Sequence, residues 1–311
     1  MWSPIDGDGV MVVDFQGGGH VPWQREPLES LRALPAVTVA LSGEAPLVEG
    51  ASFDVHVQTQ TDLDALLAGQ QGSPLASLAL VQLLRLGAGL RIESALTAES
   101  MAYSMLQSGP EFRAWLETNT ASTSPKTEGT PSVLIERHHD ELRLTLNRPE
   151  RRNAFSAEMR DALVDGLSVA IADPSIRAVS LDGAGPGFCS GGDLSEFGTF
   201  SDPVSAHAIR SVRHPGHTLS ALAKRVHARL HGACVGAGIE LPAFAGRVTC
   251  APETSFRLPE VSMGLVPGAG GTVSIPRRVG RQRMAWMAIS GVELGANQAL
   301  EWGLVDGIEE S

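Results

Sequence analysis

The sequence is poor in cysteine and in positive charge, and each shortage excludes a class of protein. Its 311 residues include three cysteines, with no C-x-x-C pair, so neither a disulfide framework nor a structural zinc site is expected. Only 24 Lys and Arg side chains stand against 35 Asp and Glu, a formal net charge of −11. That balance argues against a nucleic-acid partner, because phosphate binding depends on Lys and Arg.

Long apolar runs are also lacking. The longest, residues 75–86, is interrupted by Gln82 and Arg85 and falls short of the roughly 20 residues that a membrane helix needs. The first residues have neither the basic nor the apolar region of a signal peptide. With 43% hydrophobic residues, the chain is nevertheless too apolar to be disordered. We therefore expect a globular protein with no membrane partner and a cytoplasmic location.

The length and composition favour two domains. Residues 118–131 are rich in Thr, Ser and Pro and have no large apolar side chain, which is typical of a linker. We predict an N-terminal α+β domain of unknown role over residues 1–117, with short strands followed by helices from Asp62 onward. Residues 132–311 alternate between strand and helix patterns, which predicts an α/β domain with largely parallel strands.

Two glycine-containing turns in the second domain each follow a predicted strand. They are residues 188–193 (FCSGGD) and residues 231–240 (HGACVGAGIE), and the second opens a predicted helix. Small residues let backbone N–H groups approach a ligand, and the N–H groups at a helix start have no internal acceptor. Two such turns facing each other would form an oxyanion hole. Tight strand-to-helix packing is the alternative interpretation of either turn alone.

Two glutamates lie among apolar neighbours in the same domain. Glu240 follows Ile239 and precedes Leu241, and Glu260 lies between Pro259 and Val261. A glutamate is rarely buried without a partner or a purpose, and a pair of them can hold water and move protons. For either glutamate alone, an exposed or ion-paired side chain is the alternative. The two candidate oxyanion turns nearby favour a catalytic interpretation.

Residues 133–308 resemble the crotonase superfamily, the enoyl-CoA hydratase/isomerase fold. The resemblance rests on stretches in the family's order: 146–150 with 153–154, 188–194, 236–240, 258–260, 267–272 and 299–305. It implies the ββα spiral fold for residues 132–311. Family members usually continue into helices that complete the acyl pocket and support trimers. We expect this domain to lack those helices and the N-terminal part to take their place.

The resemblance also implies a site and a reaction. By position, the backbone N–H groups of Gly192 and Ala237 would hold the thioester carbonyl of an acyl-CoA substrate. Glu240 and Glu260 match the two glutamates of the hydratase branch. The implied reaction is syn addition of water to a 2-enoyl-CoA, with Glu240 activating the water and Glu260 giving a proton to C2, or with these roles exchanged.

Substrate contacts and assembly follow from the same resemblance. Asn153, Ala154 and Ser190 are expected near the CoA moiety, mostly through backbone contacts. CoA is part of the substrate, and no metal or other cofactor is implied. We expect a homo-oligomer, either a trimer or a hexamer, because an α/β core without its closing helices leaves apolar surface to cover.

Three alternatives remain at the level of sequence. Double-bond isomerisation on the same fold needs only one of the glutamates. Residues 99–106 and 109–116 faintly resemble the helical N-terminal domain of the dihydroxyphenylacetyl-CoA dioxygenases, which need no cofactor. That branch carries Gln at the position matching Glu240, so the glutamate favours water chemistry over oxygen chemistry. A non-catalytic crotonase-like scaffold is the third alternative, and the presence of both glutamates and both glycine turns argues against it.

Overall fold

The computed structural model describes residues 3–5, 7–16, 30–43, 52–119, 129–199 and 202–309. The fold is mixed α/β, as predicted, and most of the predicted linker lies outside the described residues. The N-terminal part begins with a parallel sheet in the order β1-β2-β3, made of β1 (Val10–Asp14), β2 (Val37–Leu41) and β3 (Val55–Val57). Strand β1 was not predicted, because it is short, partly exposed and defined by its pairing with β2 rather than by its own pattern.

Helices follow the strands, as the periodicity predicted. They are α1 (Gln60–Gly72), α2 (Pro74–Gly87), α3 (Ile92–Gln107) and α4 (Pro110–Thr118). Local signals set their starts. The Thr59 side chain caps α1 by accepting a hydrogen bond from the N–H of Asp62 at 3.1 Å, and a proline occupies the first position of α2 and of α4, where its missing N–H costs nothing.

The second part is built on two sheets. Their strands are β4 (Val133–His138), β5 (Glu141–Leu146), β6 (Ala178–Gly183), β7 (Val226–Leu230), β8 (Ala233–Val235), β9 (Arg247–Cys250), β10 (Ser255–Arg257), β11 (Leu294–Gly295) and β12 (Gly307–Ile308). The larger sheet has six strands in the order β12-β9-β7-β6-β5-β4. Its pairs are parallel except for the β4–β5 hairpin, which turns at His139 with φ of 56°. The smaller sheet has the order β11-β10-β8.

The helices of the second part flank these sheets. They are α5 (Ala157–Ala172), α6 (Pro203–Val212), α7 (Pro215–Leu222), α8 (Ala237–Glu240), α9 (Gly271–Val279), α10 (Arg281–Ser290) and α11 (Ala296–Trp302). Helix α5 starts at the predicted cap, Ser156, which accepts from Met159 N–H at 3.2 Å. The helix predicted near Gly236 is a single turn, because Pro242 has no N–H to continue the α-helical pattern. Within the described ranges, every helix is too short or too polar to cross a membrane.

One hydrophobic core joins the helices of the N-terminal part to the second part. Its buried members include Leu66 of α1, Leu80 of α2 and Met284 of α10. Helices α1 and α10 approach so closely that a side chain at Gly69 would collide with the carbonyl of Ile289. Helix α3 packs against α6 and α9 of the second part. This packing brings α3 to the edge of the candidate site.

Candidate active site

The two glycine turns lie side by side. A parallel bridge joins Cys189 to Cys234, with the N–H of Val235 donating to the Cys189 carbonyl at 3.0 Å. The pairing places Gly192 and Ala237 on the wall of one cavity. Among the described residues, neither the Gly192 N–H nor the Ala237 N–H has a hydrogen-bond acceptor. Both groups are therefore free to donate to a ligand oxygen, as an oxyanion hole requires.

The cavity has a volume of about 460 Å³ and collects residues from both parts of the chain. Glu240 and Glu260 line it together with Gly192 and Ala237. Apolar side chains form another part of its wall: Phe155, Phe197, Ala206, Ile209 and Pro215. The structure thus brings the four residues predicted as catalytic to one partly apolar cavity, where electrostatic interactions are stronger than in water.

Glu240 is held by the loop of residues 269–272, which precedes and opens α9. The side chain is 2% exposed, and its Oε2 accepts from the N–H of Ala269 at 2.7 Å and of Gly271 at 2.9 Å. A Cβ on Gly271 would lie 2.6 Å from Cγ of Glu240. Glycine at this position therefore allows the loop to approach the carboxylate closely enough to donate.

Glu260 is also enclosed but less well bonded. It begins a 3₁₀ turn (Glu260–Met263), and its Oε2 is buried with no hydrogen-bond partner among the described residues. Gly236, at φ of 50°, lies directly against the other carboxylate oxygen. Any side chain at this position would displace Glu260 as well as strain the backbone.

The two glutamates differ from ordinary carboxyl groups in their pKa values. Burial raises the pKa of Glu240 well above its usual range, the charges of Glu260 and Glu99 add to this, and the two N–H donors partly oppose it. Burial also raises the pKa of Glu260 to about 7, with the charge of Glu99 contributing and that of Arg257 opposing. Because neighbouring carboxylates repel each other, ionisation of one favours a proton on the other. Near neutral pH the pair can supply one carboxylate and one carboxylic acid.

A third glutamate, Glu99 of α3, reaches the same loop and was not predicted. It is 1% exposed. Its Oε1 accepts from Gly270 N–H at 2.7 Å, and its Oε2 accepts from Thr272 N–H at 2.9 Å and Thr272 Oγ1 at 2.6 Å. Four successive N–H groups of the loop therefore bind Glu240 and Glu99 in alternation. The N-terminal part of the chain helps to fix the loop that holds Glu240.

His214, at the start of α7, lies next to Glu99 and was likewise not predicted. Its Nδ1 accepts from the N–H of Gly216 at 3.0 Å. Its Nε2 is 3.9 Å from Oε1 of Glu99 and has no hydrogen-bond partner among the described residues. Since Nδ1 accepts, a neutral ring carries its hydrogen on Nε2, the atom next to the Glu99 carboxylate.

Two wall residues that were not predicted, Tyr103 and Gln107, share a sequence signal with Glu99. Glu99, Tyr103 and Gln107 are spaced by four along α3, and residues at this spacing lie on one face of a helix. Tyr103 and Gln107 line the cavity, as does Arg210 of α6. The spacing was visible in the sequence, but nothing in it indicated that this face meets the loop 269–272.

The residues predicted to contact CoA do not line the cavity. Asn153 is fully buried, and its amide donates to three carbonyls in the segment 184–188 at 2.8, 3.1 and 3.0 Å. The Ala154 carbonyl accepts from Arg148 at 2.8 Å, and the Ser190 N–H is also bonded within the protein. Contact of these residues with CoA stays a prediction. In the part of the chain that the structure describes, no three His, Cys, Asp or Glu side chains are grouped to hold a metal ion.

This fold, with two glycine turns beside two buried glutamates, is that of the crotonase superfamily. Residues 139–309, more than half of the chain, match the enoyl-CoA hydratase/isomerase family, and the protein belongs to that family. The crystal structure of an enoyl-CoA hydratase from Thermoplasma volcanium GSS1 superposes with a TM-score of 0.53 and 34% identity, covering 58% of this chain and 73% of that one.

Curated relatives match over the same segment. The 1,2-epoxyphenylacetyl-CoA isomerase of Escherichia coli K12 is 37% identical over 168 residues, 53% of this chain and 64% of that protein. The 2,3-dehydroadipyl-CoA hydratase of the same strain is 34% identical over 177 residues, 57% of this chain and 68% of that protein. The chain thus spans slightly less than two thirds of the isomerase. Helices α1 to α4 lie outside the family match.

Proposed function

We propose that the protein is an enoyl-CoA hydratase that adds water across the double bond of a 2-enoyl-CoA. The observation that carries the proposal is the pair of buried glutamates on one cavity wall with two N–H groups that have no acceptor within the described residues. Addition of water needs a base for the water and an acid for C2, and two carboxyl groups sharing a proton can supply both.

The reaction proceeds through a thioester enolate. The substrate carbonyl lies between the N–H groups of Gly192 and Ala237, which stabilise the charge that develops on its oxygen. Glu240 accepts a proton from water as the water oxygen bonds to C3. Glu260 gives its proton to C2, and proton exchange between the two carboxyl groups restores the starting state.

The hydrogen bonds favour this division of roles over its reverse. Glu240 accepts from two backbone N–H groups, which stabilise a carboxylate. Glu260 has a buried oxygen without a donor among the described residues, an arrangement that suits the protonated form. Burial raises the pKa of both carboxyl groups, so the division of roles rests on the N–H donors to Glu240 and not on the pKa values.

Isomerisation of an acyl-CoA is the second candidate. The relatives named above include a 1,2-epoxyphenylacetyl-CoA isomerase as well as a hydratase, and Glu260 in its carboxylate form could take a proton from one carbon and return it to another by itself. Hydration is favoured because Glu240 is held in place by the loop 269–272, an arrangement that an isomerase using one glutamate does not need.

The test is hydration of crotonyl-CoA, followed as loss of the enoyl-thioester absorbance. We expect Glu240→Gln and Glu260→Gln each to lower kcat by about 10²- to 10⁴-fold, the usual contribution of an acid or base, with little change in thioester binding. Glu253→Gln, the same change at an exposed position, is the control and should be fully active. Normal hydration by either catalytic variant contradicts the proposal, and conversion of 3-enoyl-CoA by wild type without hydration favours the isomerase.

A further inference from the structure

Three arginines line the cavity, and one of them differs from the others in its partners. Arg160 and Arg213 both form ion pairs with Asp161, at 2.9 and 3.1 Å. Within the described part of the chain, Arg210 has no carboxylate at ion-pair distance, and every hydrogen bond it makes is to a neutral group. Among these residues its charge therefore has no direct counterion, and Glu99 acts on it only from beyond ion-pair distance.

Neutral groups of α3 nevertheless fix the orientation of this guanidinium. Its Nε donates to Ser100 Oγ at 3.1 Å, and its Nη atoms donate to Ser104 Oγ and, at 3.5 Å, to Gln107 Oε1. The ring of Tyr103 lies beneath it, 4.8 Å from ring centroid to Cζ. These contacts hold the cation in place without neutralising it, and a partly buried cation is unfavourable unless an anion reaches it.

Tyr103 also sets how far Arg210 lies from the reacting atoms. The tyrosine ring packs directly on Gly268, the residue before the loop 269–272, and leaves no room for a side chain there. Arg210 lies over the same ring, so roughly one aromatic ring separates it from the loop that holds Glu240. Gly192, Ala237 and Arg210 line the same cavity, so an acyl chain whose thioester is held by the two N–H groups can extend through that cavity towards the guanidinium.

We propose that Arg210 binds a carboxylate at the far end of the acyl group, so that the substrate is the CoA thioester of a dicarboxylic acid. An arginine with fixed orientation suits a planar, bidentate carboxylate. Glu196 is another acidic residue of the cavity wall. It accepts from the Ala157 N–H at 2.9 Å and forms no ion pair with Arg210. The inference rests on the proposed function only because it takes the substrate to be a CoA thioester. It does not depend on which reaction the enzyme performs on that thioester.

The experiment measures binding of saturated six-carbon acyl-CoA thioesters by calorimetry. One ends in a carboxylate, one in a methyl group, and one in a carboxamide of nearly the same shape. We expect wild type to bind the carboxylate ligand about 10- to 100-fold more tightly than the other two, the usual value of hydrogen bonds to a charged group. In Arg210→Gln this preference disappears, Arg210→Lys keeps part of it, and Arg213→Gln, the ion-paired neighbour, keeps all of it.

Two results would overturn the inference. Equal binding of the three ligands by wild type excludes a carboxylate subsite, and this comparison needs no variant to fold. An equal loss for all ligands in Arg210→Gln shows that the arginine contacts CoA or merely holds α3 in place. Because saturated ligands cannot be hydrated, a retained carboxylate preference without crotonyl-CoA hydration refutes the proposed reaction and leaves the subsite standing. Absence of binding by every ligand overturns both.

Discussion

Helices α1 to α4 and the family segment 139–309 contribute to one cavity in different ways. The family segment provides the free N–H groups and the two glutamates, groups whose positions are set by turns within that segment. The helices provide Glu99, which binds the loop 269–272 from outside, and two wall residues, Tyr103 and Gln107. The candidate site therefore extends beyond residues 139–309, the segment that matches the family.

Besides the shared hydrophobic core, side-chain hydrogen bonds join α3 to α6. Ser100 of α3 is hydrogen-bonded to His207 of α6 at 2.9 Å, and Ser104 donates to the carbonyl of Pro203 at 2.9 Å. Such directional bonds specify one relative placement of the helices, whereas apolar contacts tolerate several. A site that spans the two regions depends on that placement.

The largest effect is expected where the two regions share a buried ion pair. Asp54 bonds to Arg85 of α2 at 2.5 Å and lies 3.4 Å from Arg281 of α10. Asp54→Asn leaves the buried guanidinium of Arg85 without its carboxylate and removes one contact of Arg281, so we expect the free energy of unfolding to fall by about 3–5 kcal/mol. Urea denaturation measures it. Asp64→Asn, on the exposed face of α1, should change little, and equal stability of the two variants would show that the ion pairs of Asp54 do not stabilise the fold.

A somewhat smaller effect, inside the family segment, is a pH dependence of stability. The pKa of Glu260 rises on folding from 4.5 to about 7, so the native state binds more protons between these values. The stabilisation is fully present below pH 4.5 and is lost as the pH rises through 7, by up to about 3 kcal/mol. Denaturation of wild type and Glu260→Gln from pH 5 to 8 tests this. The variant should show a shallower decline, because only the part due to Glu240 remains, and parallel curves would refute the assignment.

The smallest expected effect concerns Glu99, and it tests directly what helices α1 to α4 contribute to the site of the family segment. We expect Glu99→Gln to lower kcat about 10- to 100-fold through loss of charge-assisted hydrogen bonds to the loop. Its charge contributes to the raised pKa values of Glu240 and Glu260, so its removal should also shift the alkaline limb of the pH–rate profile to lower pH.

The matched control for this variant is Glu93→Gln, on an exposed position of the same helix. It should leave both kcat and the pH profile unchanged. If Glu99→Gln lowers kcat without moving the profile, Glu99 acts only on the fold, and the helices contribute shape rather than electrostatics to the site.

Local signals explain what could be predicted from the sequence. The cap at Ser156, the strand patterns and the two glycine turns are each encoded within a few residues, and Glu240 and Glu260 follow from their apolar neighbours and the family motifs. The single-turn length of α8 was missed, although Pro242 offered a signal for it.

Contacts distant in sequence explain the rest. Glu99 binds an N–H group 171 residues away, and no local pattern indicates which face of α3 meets which loop. Spaced polar residues on a helix look the same whether that face is solvated or lines a cavity. Arg210 is equally uninformative alone, because its lack of a counterion is a property of the assembled fold.

The alternation of hydrogen bonds along the loop 269–272 has a spectroscopic consequence. The amide protons of Ala269 and Gly271 point to Glu240, whereas those of Gly270 and Thr272 point to Glu99. Because the chemical shift of an amide proton responds to the acceptor it donates to, neighbouring peptides in one spectrum report on two different carboxylates. Nuclear magnetic resonance can therefore follow the carboxylate of each region separately within a stretch of four residues.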